Sequence, residues 1–224
     1  MRDRAGAIRV ALVLAAAASG MACGHPEKSV IEQYFNALRA GDTQTLSSFA
    51  AFTFDKKPER WTIKDTIDEQ KSPAVYPELV KKAADAEKAV ADNKRQAQLY
   101  SNENYVQIEQ VKEAQKKGAV PAKLQAVATQ WIQFNESDRE LRRAAAQAKD
   151  AAEKEKRSLL RSVGQQDDLE SLTGEMVTKQ VEVELVIDGQ PKPHVMQLRK
   201  YELKRESGPR VTGRWVIQSL TPKA

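Results

Sequence analysis

From Glu78 to Lys117 the chain contains neither proline nor glycine and is dominated by Ala, Lys, Glu and Gln, residues that give up little conformational freedom in a helix. Gly118 and Pro121 interrupt the run, the glycine suited to ending one helix and the proline to opening the next. Beyond them Leu124, Val127, Trp131, Phe134, Leu141, Ala145, Ala148, Ala152 and Leu159 recur at alternating steps of three and four, with Asp138 and Glu155 as the polar exceptions on the stripe. That spacing is a coiled-coil seam. The preceding run carries Leu79, Ala83, Ala86, Val90, Ala97 and Tyr100 at related spacing, then slips toward Ile108 and Val111. Two apolar stripes joined by a short turn predict an antiparallel helical hairpin over 77–165, each arm about 60 Å long at the helical rise per residue. A rod of that length has to project from a body, and the body must come from the flanks.

Before the rod, Ser29 and Glu32 have the spacing of a capping box, and Ile31, Tyr34, Phe35 and Leu38 form one apolar helix face that Gly41 ends. Asp42 can cap a second short helix carrying Leu46, Phe49 and Phe52. The stretch RWTIKDTIDE then sets Trp61 and Ile63 between polar neighbours, as a half-buried strand would, and Pro73 and Pro77 break the chain. After the rod, Val177, Val181, Val183 and Leu185 alternate with polar residues, Asp188-Gly189 is a tight-turn signal, and strands are predicted over Val195–Leu203 and Val211–Leu220. Three strands alone bury too little to be stable, so the amino-terminal helices are expected to cover them. The predicted class is α+β: small helices packed on a curved, cone-like antiparallel sheet, built from 28–76 and 166–224, with the hairpin inserted between them.

The amino terminus carries Arg2, Arg4 and Arg9, an apolar run from Val10 to Ala18, small residues, and then Cys23, the sole cysteine. Charged start, short apolar stretch and small residues describe a secretory signal peptide. With Cys23 directly after SGMA, the segment 1–22 resembles the signal of bacterial lipoproteins, in which the cysteine becomes the acylated first residue of the mature chain. That resemblance implies a lipid anchor at Cys23, a membrane as partner, a tether over 23–27 and, with Gly24 next, an outer-membrane address facing the periplasm. Ordinary signal cleavage after Ala22 or Ala18 is the alternative. With one cysteine, no disulfide can form within the chain.

Of the formal net charge of +5, Arg2, Arg4, Arg9 and Asp3 in the leader account for two. The remainder is a mild surplus concentrated in the helical middle, suited to solubility and to meeting anionic lipid heads or acidic partners. Arg139, Arg142 and Arg143 lie near Trp131 and Phe134 in sequence, but they read as a solvated helix face, and export argues against a nucleic-acid partner.

The pair of short helices around YFNALRAGD, a lone strand and a final antiparallel sheet resemble the nuclear transport factor 2-like superfamily, which includes SnoaL-type and ketosteroid-isomerase-type proteins. The likeness covers about residues 28–70 and 172–222. It implies a cone with a pocket, and Tyr34, Trp61, Tyr201 and Trp215 are the aromatic candidates to line it; such residues at amphipathic spacing serve equally as core.

Catalytic signals are sparse. His25 falls in the tether, and His194, beside Pro193, reads as a turn or surface residue. Glu182 and Glu184 share a strand face, where a paired-carboxylate site and a solvated face are the two readings. No metal-ligand spacing, glycine-rich phosphate loop or serine elbow occurs, so neither catalytic residues, a metal nor a cofactor is expected. The expected function is a non-catalytic, lipid-anchored envelope binding or scaffold protein presenting its hairpin to a protein partner or an apolar ligand. Two alternatives stand beside it: a holdase similar to the periplasmic Skp chaperones, and a pocket enzyme of the ketosteroid-isomerase type.

Overall fold

The computed structural model describes residues 26–205 and 208–223. Helix α1 (Pro26–Ala40) and helix α2 (Thr43–Phe49) lead into strand β1 (Arg60–Pro73). Helices α3 (Tyr76–Glu103), α4 (Tyr105–Lys116) and α5 (Gln125–Val163) follow, and the chain ends in β2 (Thr173–Ile187), β3 (Gln190–Lys204), β4 (Arg210–Thr212) and β5 (Val216–Pro222). All strand pairs are antiparallel: β1 on β2, β2 on β3, and β3 on both β4 and β5. The molecule is therefore α+β, with an open sheet and the α3–α5 hairpin inserted between its first and second strands.

The two ends of the chain share one core. Ile31, Tyr34, Phe35 and Leu38 from α1, and Leu46 and Phe49 from α2, pack on Val181, Val183 and Leu185 of β2, Met196 and Leu198 of β3, and Ile217 of β5. Each fully buried side chain of this size contributes about 1.5–3 kcal/mol of transfer free energy. Gly41 turns the chain with φ +72°, and its amide donates to the Leu38 carbonyl. Asp42 then caps α2, accepting from the Thr45 amide at 2.9 Å. Hydrogen bonding from the Thr45 side chain, and then from its amide, holds the Asp42 carboxyl below its usual range.

Helix α1 starts earlier than the capping-box spacing predicts. Pro26 lies in its first turn, where a fixed φ and a missing amide proton cost nothing. Ser29 accordingly sits inside the helix, within 3.4 Å of Gln33 Nε2. Glu27, assigned to the tether from sequence, is 2 % exposed and accepts from Lys179 Nζ at 3.1 Å.

The opposite face of the sheet holds a second core. Because side chains alternate along a strand, Tyr201 and Leu203 of β3 point away from the α1 side and meet Tyr76, Leu159, Leu169 and Leu172. This is where the hairpin is rooted. Along its seam, Leu124, Ala148, Ala152, Glu155 and Leu159 are buried, and Val127, Trp131, Phe134 and Leu141 are half-buried. Tyr100 of α3 meets Phe134 of α5 with ring centroids 5.5 Å apart.

Two elements differ from expectation. The ascending arm breaks at Asn104 (φ −115°, ψ 24°), whose amide and side-chain Nδ2 both donate to the Tyr100 carbonyl at 3.0 Å. An asparagine side chain competing for helix carbonyls is a recognised way to interrupt a helix, and the break is what carries the apolar stripe over to Ile108 and Val111. The last strand, expected unbroken from Val211 to Leu220, is split into β4 and β5. The end of α5 enters the gap. Ser162 Oγ donates to the Arg214 carbonyl at 2.8 Å and accepts from the Tyr201 amide at 3.2 Å, and the Gly213 amide donates to the Tyr201 carbonyl at 2.7 Å. A Cβ on Gly213 would fall 2.1 Å from Ser162 Oγ, so this approach requires glycine.

Candidate functional site

The four aromatic residues proposed to line one pocket do not come together. Tyr34, Trp61 and Trp215 lie on the α1 side of the sheet, whereas Tyr201 belongs to the core beneath the hairpin. The alternation of β3 explains the separation: Leu198 and Tyr201 are three residues apart and so face opposite ways. Tyr34 is fully buried, and its hydroxyl accepts the Phe54 amide at 3.0 Å. Burial pushes its pKa up to about 12. Trp61 stacks on Phe35 at 5.2 Å, with the Arg39 guanidinium 5.3 Å from its ring. Trp215, 5 % exposed, is approached by the ammonium groups of Lys179 and Lys200 at 5.4 and 5.1 Å. These side chains fill the α1 side of the sheet, and what opens beside Trp61 is a hollow of about 540 Å³ at the rim, bordered by Arg39, Arg60 and Pro191.

The remaining titratable candidates are structural. Glu184 pairs with Lys64 at 3.5 Å and Glu182 with Lys223 at 2.5 Å, on the half-exposed outer face. His194 departs from the surface reading: it is 4 % exposed, its Nδ1 lies 3.0 Å from the Lys192 carbonyl, and its ring meets Phe54 edge-on at 5.7 Å. Glu155 and Tyr201 form a buried acid–phenol pair, joined by Arg199. They are 8 % and 0 % exposed, closed to a ligand by α5 itself. No group of three or more His, Cys, Asp or Glu able to hold a metal ion occurs among the described residues. Cys23 and His25 lie outside the described residues.

An open apolar surface lies toward the far end of the hairpin. Just after the Asn104 break, Tyr105 and Val106 are each 63 % exposed. They border a groove of about 670 Å³ that runs past Glu109, Glu113 and Lys117 to Pro121 and Leu124. Leu124, at its border, also belongs to a small core that it forms with Val111 and Ala128. Lys112–Glu109 and Lys116–Glu113, each at 2.7 Å, brace α4 along its length. Sequence periodicity missed Tyr105 and Val106 because they fall off the seam. The slip between Tyr100 and Ile108 was the signal that could have found them.

No helix among the described residues is long and apolar enough to cross a membrane. No protein-family model, curated protein or solved structure matches the chain.

Proposed function

We propose that the chain is a non-catalytic, lipid-anchored protein of the bacterial cell envelope that presents its helical hairpin to a protein partner, anchored through Cys23 in the outer membrane and facing the periplasm. The observation that carries this reading is the groove at the hairpin's end, where two large apolar side chains stand in solvent at the tip of a long arm. Exposed aromatic and aliphatic anchors next to a preformed hollow are what a partner's buried contacts require. The likeness to the nuclear transport factor 2-like superfamily belongs to the same proposal, supported by α1 and α2 covering one face of an antiparallel sheet whose first strand precedes the insertion.

The pocket-enzyme alternative has little support, because Tyr34 and Trp215 are occupied in packing. The holdase alternative shares the tip groove but needs several copies to enclose a client, so a monomer in light scattering removes it.

A photo-crosslinking amino acid at Val106, in cells that make the chain natively, tests the proposal. The expected result is a discrete adduct that is lost in the Tyr105→Asp background and is not formed from position Gln44. A folded protein that gives no adduct from Val106 overturns it.

A further inference from the structure

We propose that the surface formed by the first turn of α1 and the bulged part of β1 lies directly against a lipid bilayer. This rests on the acylation of Cys23 proposed above and adds an orientation to it.

The first turn of α1 is fixed to the sheet. Glu27 is buried and paired with Lys179, which also reaches Glu69 of β1 at 2.9 Å. From Cys23 to Pro26 is three residues, which span at most about 11 Å when fully extended. An acyl-modified cysteine is held at the boundary of the hydrocarbon, and the headgroup layer on each side is only about 5–8 Å deep. A body held to the sheet from the first turn of α1 onward, on so short a leash, can rise no more than about 3–6 Å beyond the headgroup layer.

The surface nearest that leash is suited to contact. Glu27 and Lys28 share a small hollow with Lys64, Asp65 and Thr66 of β1. Pairing with β2 is irregular on both sides of Thr66, and Ile67, which follows it, is 48 % exposed. Edge strands are ordinarily kept polar, so an isoleucine turned out at the bulge is the unusual choice. Inserted at the headgroup boundary, it buries apolar area as interfacial residues do. The charges around it, Lys28, Lys64, Asp65 and Asp68, are of both signs, so the contact is set by leash and isoleucine and not by anionic lipid.

Because acylation would consume the Cys23 thiol, a cysteine introduced elsewhere is the single labelling position. The lipidated full chain carrying Ile67→Cys, and separately Lys28→Cys, is labelled with bimane and reconstituted into phosphatidylcholine vesicles containing nitroxide-labelled lipid. Both positions should be quenched about threefold more than Gln44→Cys, which lies past the other end of α1. A long Gly/Ser linker inserted before His25 should abolish the difference. Equal quenching at all three positions, with acyl chains on Cys23 confirmed by mass spectrometry, overturns the apposition and leaves the anchor standing. Absence of acyl chains on Cys23 removes both.

Discussion

The Tyr201 hydroxyl donates to Glu155 Oε1 at 2.8 Å, tying the third strand of the sheet to the helix that forms the descending arm of the hairpin. The other carboxylate oxygen accepts from Arg199 Nη1 at 3.0 Å. Glu155, one of two polar exceptions on the apolar stripe, is thus a residue through which the arm grips the body.

Removing that carboxylate leaves Arg199 half-buried without its partner. Glu155→Ala is expected to destabilise the protein by ~3 kcal/mol, and Tyr201→Phe, which keeps the ring and loses one hydrogen bond, by ~1 kcal/mol. Urea unfolding of the two variants checks the ranking; a costlier Tyr201→Phe would contradict it.

Burial raises the pKa of Tyr34 and of Tyr201 to about 12. In Tyr201 the charge of Glu155 adds to the rise. A phenol held neutral in the fold favours folding fully below its unfolded value of 10.0. That contribution is lost as pH rises through the folded value. Absorbance at the tyrosinate band should therefore show two tyrosines ionising about two units above the ordinary value of 10.0, with stability falling between pH 10 and about 12.

Lys179 is the second alkaline determinant. Desolvation opposes its charge, but hydrogen bonds to Glu69 and Glu27 outweigh it, and its pKa lies above 10.5. The stability it supplies is complete below pH 10.5 and declines as pH climbs past the raised value. Lys179→Met, which removes the cation that Glu27 and Glu69 share, should loosen the first turn of α1, seen as faster amide exchange there at pH 7.

Gly213→Ala places a methyl carbon against Ser162 Oγ and should cost ~2 kcal/mol or more through overpacking. Ser162→Gly removes the obstacle, so the double variant should recover part of the loss. Strictly additive costs would show that the two residues do not compete for the same space.

At the hairpin's end, exposure and packing separate cleanly. Tyr105→Ser and Val106→Ser should change stability by no more than ~0.5 kcal/mol, whereas Val111→Ala, in the small core with Leu124 and Ala128, should cost ~2 kcal/mol. Thermal melts of the three variants test this.

The hairpin was legible because a three-four spacing sustained from Leu124 to Leu159 has one physical solution. The Asp188-Gly189 turn was legible for a similar reason, and both residues adopt positive φ, 55° and 71°. What stayed hidden depends on which face a strand shows to which helix. Tyr34 and Tyr201 look alike in sequence, yet the sheet stands between them. His194 reads as a turn or surface residue until Phe54 is set against it, and the split of the last strand is dictated by Ser162, far away in the chain. For the candidate surface, periodicity marks where the seam lies and is silent on what falls off it, so Tyr105 and Val106 surfaced only with the break at Asn104.

Helix α5 runs without interruption from Gln125 at the hairpin's end to Val163 beside the sheet, where Glu155 and Ser162 fasten it to β3. Such an arm behaves as a stiff lever with its fulcrum inside the body. A force applied by anything holding the tip would arrive at Arg199, Tyr201 and Gly213, and the sheet would have to yield there before the arm could swing.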